Sequence, residues 1–244
     1  MSFYLAKIKN YIRHLGFDII RFHKSDFGIN PYADMAHLVR DTTSNLLIFD
    51  VGANLGESIR SFKSFLPNAV IHAFEPNQAS FKILQDNVLS YKNVTTWNLG
   101  VGSRDYSGSL YCNEYALMSS FRQSDTYGFG KILHEQQVDI VKLDNFVKSH
   151  SLSVPEILKI DVQGFELNVL LGALEMLEKQ TISLVHLELT FSPMYLGQDH
   201  HLEILSFMYK HNYKLVGIYR QHFQDSLLSW ADALFVSDKS DYLP

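Results

Sequence analysis

The chain has 244 residues, 46% of them hydrophobic and 19% charged, with a formal net charge of -5. That length and composition suit one large α/β domain with a sizeable core, and the negative balance argues against nucleic acid as a partner, because phosphate binding calls for a basic face. Cys112 is the only cysteine, so no internal disulfide forms; with no redox motif around it, the thiol reads as a small buried apolar group.

In chain order, residues 1–45 read as a helical N-terminal extension. Leu5, Ile8, Ile12, Leu15 and Ile19 alternate spacings of three and four, which is a helix stripe, with Lys7, Lys9 and Arg13 opposite. Such a helix either packs on its own domain or offers a dimer or membrane-surface contact. Lys7, Lys9, Asn10 and Arg13 interrupt any apolar run, so no secretory signal is expected, no run is long enough to cross a membrane, and a reducing cytoplasm is the expected location. Residues 25–31 form a loop and 32–40 a second short helix.

From residue 46 to 244 the pattern alternates strand and helix and defines the main domain. Strands are expected at 46–51, 69–74, 94–99, 156–162, 183–189, 214–219 and 233–237, and helices at 57–65, 78–90, 144–149, 166–178 and 200–211. Strands joined by helical crossovers make a parallel sheet. The last two strands lack a helix between them and should pair antiparallel across the polar connection 221–229. Residues 106–141 break the rhythm. Short strands are expected at 109–111 and 138–141, and between them 113–137 reads as a long aromatic loop, a lid over the substrate side or a peripheral excursion.

The richest segment is Phe49-Asp50-Val51-Gly52-Ala53-Asn54-Leu55-Gly56, a strand end, a glycine turn and a helix start, followed by a second strand ending at Glu75-Pro76. Glycines allow a sharp turn close to a ligand, and an acid after the second strand can accept from both hydroxyls of a ribose. The middle glycine of a dinucleotide fingerprint is missing, and the Asp50 carboxylate would repel a pyrophosphate but attract an α-amino group. S-adenosylmethionine has an amino acid end, a ribose and no phosphate, so it suits the turn better than a nicotinamide dinucleotide.

In open α/β sheets ligands bind beyond the carboxyl ends of the strands. Asp50, Glu75, Asn98, Asp161 and Glu188 stand at five successive expected tips. Asp50, Gly52, Asn54, Gly56, Glu75, Pro76, Asn98 and Asp161 form the expected cofactor side. Asp161 and Glu188 are the candidate bases for an acceptor hydroxyl. Glu188, Tyr195, Gln198 and Asp232 form the expected acceptor side, where aromatic and polar groups suit a sugar. Glu166 lies in a first helical turn, where the dipole favours an anion. His72 and His186 read as satisfied core histidines. Asp199 reads as a cap beside His200 and His201, and no metal is expected.

Taken together, Phe49–Gly56, Phe74-Glu75-Pro76-Asn77, Lys159-Ile160-Asp161-Val162-Gln163-Gly164-Phe165-Glu166, Leu187-Glu188-Leu189 with Tyr195-Leu196-Gly197-Gln198, and Ala231-Asp232-Ala233-Leu234-Phe235 resemble the FkbM-type methyltransferases. The resemblance covers residues 46–238. In that family the third block usually carries Glu where this chain has Gln163. The resemblance implies a Rossmann-like class I methyltransferase fold, a seven-stranded mostly parallel sheet with an antiparallel C-terminal hairpin. It also implies S-adenosylmethionine as cofactor and O-methylation of a sugar, glycan or polyketide-like hydroxyl. The rival readings are a non-catalytic binding module of the same fold and an NAD(P)-dependent oxidoreductase. Against the latter stand the broken glycine fingerprint and the lack of a Tyr-x-x-x-Lys or nucleophilic pair in register.

Overall fold

The computed structural model describes residues 27–39 and 41–242. The amphipathic stripe at 3–22 lies outside them. The first described helix, α1 (Pro31–Val39), opens with Pro31 in its first turn, while the Asn30 side chain accepts from the amides of Tyr32 and Ala33 at 3.0 and 3.4 Å. A cap followed by proline is a strong helix start, since proline has no amide to leave unpaired there.

β1 (Leu47–Val51), β2 (Val70–Phe74), β3 (Val94–Trp97), β7 (Ile157–Ile160) and β8 (Leu184–Thr190) run parallel. β9 (Tyr213–Gln224) and β10 (Leu227–Ser237) complete a seven-stranded sheet of order β3-β2-β1-β7-β8-β10-β9, with β10 antiparallel to both its neighbours. α2 (Glu57–Phe65) and α3 (Gln78–Val88) cross over between the first strands; α5 (Glu166–Gly172), α6 (Leu174–Glu178) and α7 (His201–Lys210) follow β7 and β8. This is the expected α/β class I arrangement, with helices on both faces.

The two faces have separate cores. Phe49, Val51, Phe74, Leu158, Ile160, Val185 and Leu187 face α5, α6, α7 and the short helix α4 (Leu143–Ser149), where Phe49, Phe74 and Phe146 meet edge-on at 5.1–6.5 Å. Such aromatic contacts add roughly 0.5–1.5 kcal/mol each to burial. Ile48, Ile71, Ala73, Ile157, Leu184 and Leu234 pack against α1, α2 and α3 on the other side. Alternation along each strand sends Asp50, Lys159, His186, Glu188 and Asp232 to this second face. The register pairs Asp50 with Lys159, Lys159 with His186, and Glu188 with Asp232.

Three elements differ from the sequence expectation. The C-terminal hairpin is longer: its strands nearly meet at Asp225 and Ser226, both at positive φ (48° and 66°), as a tight two-residue hairpin turn requires. The expected helix 166–178 divides at Ala173, and the preceding Gly172 lies against the Gly102 carbonyl, where a Cβ would come within 2.2 Å, so no larger residue fits there. The middle segment is mostly sheet. β5 (Tyr106–Asn113) pairs antiparallel with β6 (Ile132–Val141), which also joins β4 (Gly100–Val101), and only 114–131 remain as a connection holding one 3-10 turn, Ala116–Met118. The polar run Glu135-Gln136-Gln137 hides β6 from propensity, since these residues are poor strand formers.

Candidate functional site

Two neighbouring clefts open at the carboxyl end of the parallel strands. The first, of about 480 Å³, is lined by Gly52, Asn54, Glu75 and Pro76 on one side, Asp161 and Gln163 on another, and Leu117, Ser119, Ser120 and Phe121 across the top. The second, also about 480 Å³, is lined by Leu117, Met118, Asp161, Gln163, Glu188, Met194 and Trp230. Leu117, Asp161 and Gln163 belong to both.

The first cleft is organised by backbone. Gly52 (φ 77°) lies against the end of β7, where a Cβ would come within 1.8 Å of the Asp161 carbonyl oxygen, so no larger residue fits. The Gly52 and Ala53 amides donate to the Phe74 carbonyl, both at 3.0 Å, which joins the β1 turn to the tip of β2. Glu75 is buried, and its carboxylate accepts from the amides of Asn77 (2.7 Å) and Asn54 (2.8 Å). Burial pushes its pKa up to about 7 against those two donors. Each carboxylate oxygen retains a second lone pair for a ligand hydroxyl. Asn77 then caps α3 through the amides of Ala79 and Ser80.

Asn98, Gly56 and Asp50 support this cleft from behind. The Asn98 amide donates to the carbonyls of Glu75 and Pro76 at 2.9 and 3.1 Å, fixing the tip of β2. Gly56 (φ 94°) is buried and opens α2. Asp50 corrects the sequence expectation. It is fully buried, accepts from the Ser58 hydroxyl and pairs with Lys159 at 3.2 Å, so direct attraction for an amino group is closed to it. Lys159 in turn donates to the Gly52 carbonyl at 2.9 Å and lies 3.5 Å from Asp161. Burial works against its charge, but Asp50 and Asp161 outweigh it and hold the pKa above the usual lysine value. Asp50 therefore shapes the turn through Lys159. The signal for Lys159 was present: in Lys159-Ile160-Asp161, alternation sends lysine and acid to one face.

The second cleft was less well placed by sequence. Asp161, with a half-exposed side chain, and Glu188 do meet there. Burial, followed by the charges of Asp161, Glu166 and Asp232, holds the Glu188 carboxyl well above the usual carboxylate range. Tyr195, expected to touch substrate, is 2% exposed and donates to Gln163 at 2.6 Å. The Gln198 side chain accepts from the amides of Met194 and Tyr195 and donates to the Ser192 carbonyl, so it holds its own loop. Trp230 supplies the aromatic wall instead, stacked on His222 at 4.6 Å with Phe129 edge-on at 6.2 Å. It was missed because β10 begins well before the stretch that reads as strand. Asp232 sits beside Glu188 across the β8–β10 pair, 3.5 Å from His186. Burial raises its carboxyl, and His186, Arg220 and Lys159 more than reverse this, leaving it below the usual range. His186 is buried as expected but not satisfied: among the described residues neither ring nitrogen has a hydrogen-bond partner.

Two further expectations change. Asp199 does not cap α7; the His200 ring accepts from the Leu202 amide, while Asp199 pairs with Arg122 (2.9 Å) and accepts from the Leu167 amide (2.8 Å). Glu166 is more than a helix-start acid: buried, with its pKa pushed by burial up to about 7, it accepts from the amides of Val162 and Gly164 and holds the turn behind Asp161. The middle segment is not a free lid on the acceptor side. Ser119, Ser120 and Phe121 line the first cleft, Ser120 donates to the Gln163 carbonyl (2.6 Å), Arg122 to the Gly164 carbonyl (2.7 Å), and Gln136 to the Pro76 carbonyl (2.9 Å). It forms a wall shared by both clefts.

The donor set of the first cleft fits a nucleoside with a cationic end. Its lining has two carboxylates, Glu75 and Asp161, and no lysine or arginine. A pyrophosphate would meet like charge there; a ribose and a sulfonium or ammonium would not. When bound, S-adenosylmethionine supplies an electrophilic methyl group. Glu75, Gly52, Asn54 and Asp161 face the same space.

The chain is similar to known methyltransferases. Methyltransferase 1 of Beauveria bassiana is 29% identical over 58% of this chain and 64% of its own length. The 2-O-methyltransferase NoeI of Sinorhizobium fredii is 24% identical over 62% of this chain and 66% of its own. The chain thus spans just under two thirds of these curated relatives. Among solved structures, Aeropyrum pernix fibrillarin with natively bound S-adenosyl-L-methionine is a distant likeness, with TM-score 0.47 and 10% identity over 85% of this chain and 76% of that one. The methyltransferase FkbM domain matches residues 50–215. The chain belongs to the FkbM methyltransferase family.

Proposed function

We propose that the protein transfers a methyl group from S-adenosylmethionine to a hydroxyl oxygen, of a sugar or glycan first and of a polyketide-like product second. The observation that carries this reading is the shared wall: Asp161 lines both the cofactor cleft and the cleft beside it. A carboxylate at that seam can take the proton of a hydroxyl as its oxygen attacks a methyl group. Most of the rate would come from holding the two reactants in line and close, which needs rigid walls rather than strong acids. Glu188, whose carboxyl is held above the usual range, suits hydrogen bonding to the acceptor better than proton removal. Trp230 offers a flat apolar face of the kind a sugar ring packs on. One relative is named a 2-O-methyltransferase, which supports oxygen as the accepting atom.

The test is transfer of label from S-adenosylmethionine across a panel of glycans, methyl glycosides and small alcohols. Label in a base-stable ether is the expected result. Tight cofactor binding with no transfer to any acceptor would favour the binding module. Thermal stabilisation by NAD and not by S-adenosylmethionine would favour the oxidoreductase.

A further inference from the structure

Gln163 stands at the seam of the two clefts and lines both. Its amide nitrogen donates to Asp161 Oδ1 at 2.8 Å and to Glu188 Oε2 at 3.3 Å, and its oxygen accepts from the Tyr195 hydroxyl at 2.6 Å. The chemistry fixes this orientation. An ionised carboxylate only accepts, so the NH₂ group must face Asp161, leaving the oxygen for the phenol. The backbone is equally constrained. Gln163 has φ 59°, uncommon for a residue with a side chain, and its carbonyl is held by the Ser120 hydroxyl. Tyr195 is too buried to touch an acceptor, so its phenol reaches the cleft only through this amide.

We propose that Gln163, clamped by Tyr195, is the positioning residue that holds the Asp161 and Glu188 carboxylates side by side and gives them separate parts, Asp161 to take the acceptor's proton and Glu188 to orient the acceptor. This rests on the O-methyl transfer reading above. Two carboxyl groups in one cleft repel each other when both are ionised, which is part of what holds Glu188 above the usual range, and a shared neutral donor relieves that repulsion without neutralising either. The other charged groups facing the pair are Lys159 on β7, Glu166 on α5 and Asp232 on β10. Only Lys159 among these is a cation, and Asp50 shares it. A carboxylate at position 163 would add a further negative charge to an already acidic group. The amide is therefore a functional choice at this seam, not a neutral stand-in for an acid.

The test uses the full chain and the variants Gln163→Leu, Gln163→Glu and Tyr195→Phe, with three readings: titration of ¹³C-labelled Asp and Glu carboxyls by NMR, S-adenosylhomocysteine affinity by calorimetry, and kcat against pH with an acceptor from the panel. Removing a hydrogen bond to a carboxylate raises its pKa, so Gln163→Leu is expected to raise the Asp161 and Glu188 midpoints by about one pH unit. Its kcat should fall about tenfold or more, with the acid limb moving in step, while S-adenosylhomocysteine affinity stays within about threefold. Gln163→Glu, which keeps the shape, should shift the midpoints in the same direction, and Tyr195→Phe by less. Unmoved midpoints in folded Gln163→Leu would overturn the proposal whatever the acceptor. Loss of affinity and kcat together, with midpoints unmoved, would reduce Gln163 to a loop support. A panel with no turnover counts against methyl transfer, and the titration then decides on Gln163 alone.

Discussion

The two clefts are built in different ways. The first, proposed for the cofactor, is made of turns at the tips of β1, β2 and β7, where backbone amides and carbonyls meet a few buried charges: Gly52 against Asp161, Asn54 and Asn77 on Glu75, Lys159 on the Gly52 carbonyl. The second, proposed for the acceptor, is made of side chains brought from distant segments: Leu117 and Met118 from the 3-10 turn, Met194 from the loop after β8, Trp230 from β10. A site of the first kind is set by local sequence and tolerates little change. A site of the second kind can be re-lined residue by residue, which is how one fold serves many acceptors.

The comparison breaks most sharply at the residue both halves share. Asp161→Asn is expected to lower kcat by about 10²–10⁴ while S-adenosylmethionine still binds, as loss of a general base should. A matching fall in cofactor affinity would move Asp161 wholly to the donor side. Shortening the connection 114–131 comes next. Because Ser119, Ser120 and Phe121 line one cleft and Leu117 and Met118 the other, cofactor Kd and acceptor KM should both worsen, by about tenfold or more. Loss confined to acceptor KM would restore a simple lid.

These two outcomes bear on what the sequence made legible. The sheet, its crossovers and the Gly52–Gly56 turn were readable because hydrophobic period and glycine chemistry are local signals. Glu75 and Asp161 were readable as strand tips. A place at a strand tip points Asp50 to a direct contact but says nothing of depth; the pairing with Lys159 shows that it is buried. Tyr195 and Gln198 stand in a polar, aromatic segment that suits a sugar, yet their side chains turn inward to Gln163 and to their own loop. Trp230 and the 3-10 turn reach the site only through long-range pairing, the β10–β8 register and the β5–β6 hairpin, which no window of sequence contains.

A smaller effect sharpens the acceptor side. Trp230→Ala should raise acceptor KM about tenfold, in keeping with loss of one well-packed aromatic face, and leave cofactor affinity unchanged. An equal effect on both would mean that the two clefts are one. The smallest effect concerns pH. Burial raises the Glu75 carboxyl from its usual value of 4.5 to about 7, so the folded chain favours its protonated form. Its contribution to stability is complete below about 4.5 and is lost as pH rises through about 7. Glu75→Gln removes that titration. The melting temperature of the variant should therefore gain on the wild type between those two pH values, by scanning calorimetry without cofactor. A constant difference across that window would show that Glu75 titrates normally.

The central claim is that Glu75 and the Gly52 turn form the cofactor site, apart from the acceptor cleft beside it. Calorimetric titration of S-adenosylmethionine into wild type and Glu75→Ala tests it most directly, with circular dichroism to confirm that the variant is folded. Loss of the carboxylate leaves ligand hydroxyls without their acceptor, at about 1–3 kcal/mol, so affinity should fall roughly 5- to 150-fold. Unchanged affinity in a folded Glu75→Ala protein would contradict the account and place the cofactor elsewhere.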